Sequence, residues 1–250
     1  MIETSDVGAD YRRRIYSSYG SEKMRDWLSR EEAGYKRWAT ACLVRLRGWL
    51  PVSKDAACLD IGCGPGNMLY TLRLDGYRNI RGVDRSPQWM DVAQKICPNV
   101  ECADVRTYLE RYPNSFDLIT AFDLVEHFRK DELLDLLSLA ARALKPGGRL
   151  ILQTPNAESP WGSMHRYHDL THELSFDPHS LGHVLGLVGL SAFEARECGP
   201  IVRGCASLLR YLLWKAIWAG LAAWNVAEVG STGSGVYTRV FLAKAVKLSK

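Results

Sequence analysis

Residues 59–67 read LDIGCGPGN, and this stretch decides the fold class of the 250-residue chain. A short apolar run, typical of a buried strand, ends in a turn that is followed by a helical pattern. The turn contains three evenly spaced glycines: Gly62, Gly64 and Gly66. Glycine permits a sharp turn and lets a ligand approach the backbone without a Cβ in the way. With Asp60 before the turn and Asp84 ending the next strand, the pattern predicts a nucleotide-type cofactor site.

Around this turn, strand-like and helix-like segments alternate along the chain. The predicted strands are 57–62, 79–84, 99–104, 115–123 and 149–155, followed by 191–199 and 235–246. Strands that alternate with helices through short turns predict a parallel sheet with helices on both faces, the doubly wound class. Ligands of such α/β sheets bind outside the carboxyl ends of the strands.

The composition excludes some classes of protein. Hydrophobic residues make up 47% of the chain and charged residues 24%, which is ordinary for a globular protein. The net charge of +4 is mild and forms no basic stripe, so no nucleic-acid partner is expected. The seven cysteines include no CxxC pair, and the N-terminal stretch lacks the apolar segment of a secretory signal. Reduced thiols and a cytoplasmic location are therefore expected.

The glycine spacing is GxGxG rather than the GxGxxG of dinucleotide sites, and this favours S-adenosylmethionine over NAD. With LDIGCGPG as the first motif, residues 55–156 resemble the class I S-adenosylmethionine-dependent methyltransferases. The other matching motifs are GVD ending at Asp84, CAD ending at Asp104, FDLITAFDLVEHF (116–128) and LKPGGRLILQTPN (144–156). The resemblance implies a Rossmann-like α/β fold with a doubly wound, seven-stranded sheet, and S-adenosyl-L-methionine as the cofactor.

The same resemblance assigns residues to the cofactor. Asp84 is implied to accept hydrogen bonds from the ribose hydroxyls, and Asp104 from the adenine amino group. Phe122 and Asp123 are implied to form the floor of the methyl-transfer site. The remaining residues implied at the cofactor are Asp60, Gly62, Cys63, Gly64, Gly66, Arg85 and Val105.

Residues 1–54 are predicted to form an N-terminal helical cap on a methyltransferase domain that occupies 55–250. Part of this cap is rich in arginine and tyrosine, and its candidate cofactor contacts are Arg14, Tyr16 and Tyr19. In enzymes of this kind such a stretch is implied to fold over the cofactor. The alternative is a solvated helix that its aromatic side chains attach to the domain.

Candidate catalytic groups follow the fourth and fifth predicted strands. A hydroxyl acceptor loses its proton as its oxygen attacks a methyl group, so a general base helps, and imidazole titrates near neutrality. His172, flanked by Asp169, is the favoured base, and Glu126 with His127 is the alternative pair. The histidines within 165–172 are also spaced for a metal ion on a helix, but class I methyl transfer does not generally require one. No metal is therefore predicted.

Residues 155–183 form a predicted acceptor-side segment. The stretch PNAESPWGSMHRYHDLTHELSFDPHSL (155–181) resembles bacterial methyltransferases associated with lipopolysaccharide, O-antigen and other surface glycans. The residues implied at the substrate are Asn156, Arg166, Tyr167 and Glu173. The implied reaction is O-methylation of a sugar in a cell-surface polysaccharide or its lipid-linked precursor. Two alternatives stay open: a small phenol or quinone acceptor, as in ubiquinone-type O-methyltransferases, and a non-catalytic cofactor-binding scaffold.

An apolar helical insertion is predicted at 201–229, before the last strand. Within it, 205–226 has only Arg210, Lys215 and Asn225 as polar interruptions. The twelve uncharged residues after Lys215 are fewer than the roughly twenty that span a bilayer. Three interpretations stay open: internal packing, a homodimer interface, or peripheral contact with the inner face of the cytoplasmic membrane.

Overall fold

A seven-stranded sheet forms the centre of the structure, a computed structural model that describes residues 32–248. The strands are β1 (Cys58–Ile61), β2 (Ile80–Asp84), β3 (Val100–Cys102), β4 (Phe116–Phe122), β5 (Leu144–Pro155), β6 (Leu190–Glu197) and β7 (Val240–Lys247). Their order across the sheet is β3-β2-β1-β4-β5-β7-β6. The prediction of a Rossmann-like, doubly wound sheet of seven strands is confirmed.

Helices cover the sheet and connect its strands. They are α1 (Glu32–Arg45), α2 (Asn67–Leu74), α3 (Pro87–Ile96), α4 (Val105–Glu110), α5 (Lys130–Ala143), α6 (Gly162–His168), α7 (Pro178–Leu187) and α8 (Cys205–Val229). A short 3-10 helix, Val125–His127, follows β4. None of the described helices is long and apolar enough to cross a membrane.

Strands β1 to β5 are parallel, whereas β7 runs antiparallel to both β5 and β6. The alternation of strands and helices predicts parallel pairs among the first five strands, which is confirmed, and it makes no prediction for the antiparallel direction of β7. Its physical origin is the connection: α8 returns the chain so that β7 inserts between β5 and β6 instead of adding at the edge. The carboxyl ends of β1, β2, β3 and β4 still meet at one edge of the sheet, where the predicted site lies.

Side chains from the two faces of the sheet enter separate cores. In β1, Leu59 and Ile61 pack into a core with Ile119 of β4, while Cys58 packs on the other face with Leu118. This alternation is the two-residue period of a strand covered on both sides. The buried strands thereby hold the chain segments at their carboxyl ends in fixed positions.

The predicted N-terminal cap is described only from residue 32 onward, so Arg14, Tyr16 and Tyr19 lie outside the described residues. Helix α1 belongs to this cap and packs on α2. The Tyr35 hydroxyl donates to the Pro65 carbonyl (3.1 Å), and its ring contacts Tyr70 with centroids 5.5 Å apart. The cap therefore contacts the glycine-rich turn directly.

Candidate functional site

The glycine-rich turn joins β1 to α2 at the carboxyl edge of the sheet. Gly62, Gly64 and Gly66 have φ values of +66°, +48° and +89°, a region that side chains rarely adopt. The backbone N–H groups of Gly62 and Cys63 both donate to the Val83 carbonyl, at 2.8 and 3.1 Å. The turn is therefore hydrogen-bonded to the end of β2.

Asp84 joins the end of β2 to this turn. Its carboxylate accepts from the backbone N–H of Gly64 (2.8 Å) and from that of Ser86 (2.8 Å). Burial raises the pKa of Asp84, and these two N–H donors oppose the rise. Because each carboxylate oxygen accepts more than one hydrogen bond, Asp84 can also receive the hydroxyls of a ribose.

Asp60 lies behind the turn rather than on its open side. It is almost fully buried and accepts from the Thr120 hydroxyl at 2.7 Å. Burial raises the pKa of Asp60 to about 7; the Thr120 hydrogen bond opposes the rise and Asp84 adds to it. Cys63 is also buried, and its sulfur lies beside Gly82. Its backbone, not its side chain, therefore belongs to the open face of the turn.

Asp104 follows β3 and caps α4. One oxygen accepts from the backbone N–H of Arg106 at 2.9 Å, while the following residue, Val105, is buried. Arg85, by contrast, is exposed just after β2. The structure thus places Asp84 and Asp104 at the ends of neighbouring parallel strands, as the resemblance implies. Their contacts with a cofactor stay predictions.

These residues fit S-adenosylmethionine. A Cβ added at Gly64 would meet none of the described residues within 4 Å apart from its chain neighbours, so the described chain leaves the space in front of that backbone open. The carboxylates beside it accept hydrogen bonds, whereas the ribose hydroxyls and the adenine amino group donate them. Asp84 and Asp104 would hold the adenosine, and the turn 62–64 would lie along the methionine part.

Phe122 and Asp123 end β4 next to this turn. Asp123 has φ +51°, and both its carboxylate oxygens accept from the Gln153 side chain, at 3.1 and 3.0 Å. The Phe122 ring meets Trp38 of α1 edge-on, with centroids 6.0 Å apart. A Cβ at Gly62 would lie 2.7 Å from Leu124 Cδ1. The segment after β4 therefore packs directly against the turn.

Glu126 begins the acceptor side of the site. It is fully buried, and one carboxyl oxygen accepts from the Thr154 hydroxyl at 3.0 Å. Burial raises the pKa of Glu126 well above its ordinary value, and Asp123 adds to the rise. Within the described part of the chain, its other carboxyl oxygen, Oε1, has no hydrogen-bond partner. A buried polar atom of this kind is costly unless it has a functional partner.

His127 and His172 come together beside Glu126. Their ring centroids are 4.8 Å apart at an angle of 67°. His172 Nδ1 lies 3.0 Å from the His165 carbonyl oxygen, which can only accept, so Nδ1 carries the proton. The acceptor nitrogen of a neutral His172 is therefore Nε2.

His127 is oriented by a hydrogen-bond chain. The Thr171 hydroxyl donates to Asp169 at 2.6 Å and lies 2.8 Å from His127 Nδ1. Since the hydroxyl proton is given to Asp169, His127 Nδ1 donates to Thr171. These hydrogen bonds link Asp169 through Thr171 to His127, so the residue that flanks the favoured base also contacts the alternative pair.

The residues predicted to bind the substrate differ in burial and in hydrogen bonding. Arg166 donates to the backbone carbonyls of His172 and Glu173, the latter at 2.8 Å, and so holds the segment that carries the base. Asn156 is fully buried and donates to the carbonyls of Val236 and Thr238, which attaches the segment to the chain before β7. Tyr167 is 73% exposed. Substrate contacts of these residues stay predictions.

Glu126, His127 and His172 could also hold a metal ion, because one ligand atom from each lies within 4.8 Å of the others. Two imidazoles and a carboxylate suit several divalent transition metals. The same three groups can equally exchange a proton with a substrate. The histidine spacing within 165–172 did not reveal this set, since two of its members come from the segment after β4.

Sequence reasoning missed several supporting residues. Thr171, Thr154 and Gln153 each bind a predicted catalytic or floor residue, and Trp38 packs on Phe122. Thr171 had a signal, since it lies between Asp169 and His172 within the acceptor-side resemblance. The partners of Trp38 and Gln153 become visible only in three dimensions.

Comparisons with known proteins agree on a family. The family profile described as "Methyltransferase domain" matches residues 19–194. A ubiquinone biosynthesis O-methyltransferase of Idiomarina loihiensis is 30% identical over 104 residues, which are 39% of this chain and 42% of that protein. A trans-aconitate 2-methyltransferase of Methylobacterium nodulans is 32% identical over 142 residues, 55% of this chain and 53% of that protein. These matches span about half the length of the curated relatives.

Solved structures share the fold. A SAM-dependent methyltransferase from Archaeoglobus fulgidus superposes with a TM-score of 0.59 at 23% identity, over 84% of this chain and 94% of that one. A possible histamine N-methyltransferase from Thermotoga maritima gives a TM-score of 0.62 at 17% identity, over 94% of this chain and 99% of that one. At this identity the likeness concerns the fold.

Proposed function

The chain belongs to the methyltransferase-domain family, whose class I members use S-adenosylmethionine, and on this premise we propose that it methylates a hydroxyl group. The observation that carries the proposal is the juxtaposition of Glu126, His127 and His172 at the carboxyl edge of the sheet. A hydroxyl acceptor needs a group that takes its proton, and a neutral imidazole does this near neutral pH.

The roles of the residues follow from their geometry. S-adenosylmethionine, when bound, supplies a methyl group already activated on a sulfonium. The chain's own task is therefore to orient the acceptor and remove its proton. His172 Nε2 is the proposed base, and the His165 carbonyl fixes its tautomer. His127 lies beside it, held by Thr171, and burial raises the pKa of Glu126, which disfavours a negative charge next to the two imidazoles.

For the acceptor we favour a phenolic hydroxyl on a small aromatic or quinol, because several curated relatives are named ubiquinone biosynthesis O-methyltransferase. The exposed apolar side chains of the acceptor-side segment support this choice. Trp161, Met164 and Leu170 are 40%, 48% and 80% exposed. An aromatic acceptor with an apolar tail would cover such side chains.

A sugar hydroxyl of a surface polysaccharide or its lipid-linked precursor is the second candidate. Its support is the acceptor-side resemblance, whose residues lie in one hydrogen-bonded unit. Arg166 binds the His172 and Glu173 carbonyls, and Asp169 binds Thr171. The purified chain should be incubated with S-adenosylmethionine and two acceptor sets, short-tailed catechols and lipid-linked sugars, and the methylated products identified by mass spectrometry.

Methylated catechol supports the favoured acceptor, and methylated sugar supports the second candidate. Two results together would instead favour the non-catalytic scaffold. The chain would bind the cofactor tightly without turnover on either acceptor set, and cells carrying Asp84→Ala would still make the product of the pathway that the chain serves. A proton-transfer role needs no metal, so we expect turnover to survive treatment with EDTA. Loss of turnover that Mg²⁺ or Zn²⁺ restores would assign Glu126, His127 and His172 to a metal.

A further inference from the structure

Helix α8 is attached to the rest of the protein by one narrow stripe of side chains. The indole N–H of Trp214 donates to the Glu197 carboxylate (3.3 Å), and that of Trp218 to the Gly235 carbonyl (2.8 Å). Asn225 donates to the Thr232 carbonyl at 3.4 Å. Of the 25 residues in the helix, only Ala222 is buried. Most of the helix surface is therefore unoccupied by the described residues.

The face opposite this stripe is apolar and exposed. At about 100° per residue, the positions more than about 90° from the stripe include no charged side chain. The large side chains on this face, all exposed, are Leu208, Leu209, Leu212, Leu213, Trp224 and Val226. Arg210 and Lys215 lie about 70° to either side of the stripe. Two cations thus flank a wide apolar face, which is the pattern of a helix at a membrane interface.

A second exposed apolar surface adjoins the first. It belongs to α6 and its flanks, where Trp161, Met164 and Leu170 are exposed. The two surfaces connect through the loop that follows α8: Glu158 accepts from the Ser234 backbone N–H (2.9 Å), and the Arg239 guanidinium lies 5.3 Å from the Trp161 ring. The loop after α8 therefore lies against the acceptor-side segment, and the two exposed apolar surfaces belong to neighbouring parts of the molecule.

We propose that α8, together with this acceptor-side surface, binds an anionic lipid surface. Charge complementarity selects this occupant: α8 and the residues leading into it contain Arg203, Arg210 and Lys215, against the one acid, Glu228, at the far end. Basic residues near an anionic leaflet each contribute binding free energy, and the apolar face adds to it. The proposal rests on the helix and its charges, and it holds whichever acceptor is methylated.

Co-sedimentation of the purified full chain with vesicles tests the proposal. Vesicles of phosphatidylcholine mixed with phosphatidylglycerol should sediment the protein, and vesicles of phosphatidylcholine alone should do so far less. Leu209→Glu/Leu212→Glu places two charges on the apolar face and should weaken vesicle binding at least about tenfold. Val52→Glu/Leu134→Glu is the matched control, because it makes the same change at exposed apolar positions elsewhere.

S-adenosylmethionine affinity, measured on each variant, confirms that the fold is intact. Equal vesicle binding by the wild type and Leu209→Glu/Leu212→Glu would overturn the proposal, and so would failure of the wild type to bind. If a second copy of the chain covers the apolar face of α8 instead, the protein should be a dimer without vesicles, and Leu209→Glu/Leu212→Glu should dissociate that dimer. Such a dimer, with no vesicle binding, would also overturn it.

Discussion

The two halves of the site are built in different ways. The cofactor half uses one continuous turn, 62–66, and the acid at the end of the next strand, Asp84, which accepts a hydrogen bond from the backbone N–H of Gly64. The acceptor half assembles side chains from separate segments: Glu126 and His127 after β4, Thr154 in β5, and residues 169–173 beyond α6. A short motif determines the first half, whereas long-range packing determines the second.

Because the two halves are built separately, cofactor affinity and turnover should respond to different substitutions. Disturbing the acceptor half should change turnover and leave cofactor affinity intact, whereas disturbing the cofactor half should change affinity or stability first. A variant that changes both turnover and cofactor affinity would show that the halves are coupled.

The largest effect is expected for the proposed base. His172→Ala removes the proton acceptor, which should lower kcat by about 10²- to 10⁴-fold. The dissociation constant of S-adenosylmethionine, measured by calorimetry, should stay within about twofold, because no cofactor contact is removed. His179→Ala, an exposed histidine on α7, is the control. Unchanged turnover of His172→Ala would transfer the role to His127.

The next effect concerns stability. Asp60 has its pKa raised to about 7 in the folded protein, so folding is favoured when it is protonated. Its contribution is lost as pH rises from about 4 through about 7, and a rise of that size corresponds to roughly 4 kcal/mol. Asp60→Asn should therefore be more stable than the wild type at pH 8, with little difference at pH 4. Urea unfolding at both values measures this, and equal pH profiles would contradict it.

Asp84→Asn should have a smaller effect, on cofactor affinity. The variant keeps the size of the side chain but weakens charge-assisted hydrogen bonds, so we expect a loss of about 10- to 100-fold in affinity for S-adenosylhomocysteine. With saturating cofactor, kcat should fall much less. Asp91→Asn, on the exposed side of α3, serves as the control. A selective fall in kcat would place Asp84 in the acceptor half.

The smallest effect tests the contact between the halves. Gly62→Ala introduces a Cβ at φ +66° and 2.7 Å from Leu124, which should cost about 1–3 kcal/mol of stability. Because Leu124 packs against the core, the added Cβ should displace the segment that carries Glu126 and lower kcat severalfold. Gly186→Ala, where a Cβ meets nothing within 4 Å, should be neutral or stabilising in thermal unfolding. If Gly62→Ala leaves stability and kcat as unchanged as Gly186→Ala does, the halves are independent.

The sequence predicts the residues of the cofactor half better than the contacts of the acceptor half. The turn, Asp84 and Asp104 were predictable because each lies within a few residues of a strand whose apolar pattern is clear. The contact between Thr171 and His127 was not, because these two residues are 44 positions apart in sequence. The antiparallel direction of β7 was equally hidden, since the alternation of strands and helices that indicates parallel pairs ends after β5.

Helix α8 connects β6 to β7, and these strands are antiparallel neighbours. In topological terms the whole insertion is therefore the loop of a hairpin, and its length is not constrained by the register of the sheet. Relatives could lengthen, shorten or replace it without moving the turn 62–66 or His172. The fold thus allows the exposed surface of α8 to vary without a change in the sheet or in the candidate site.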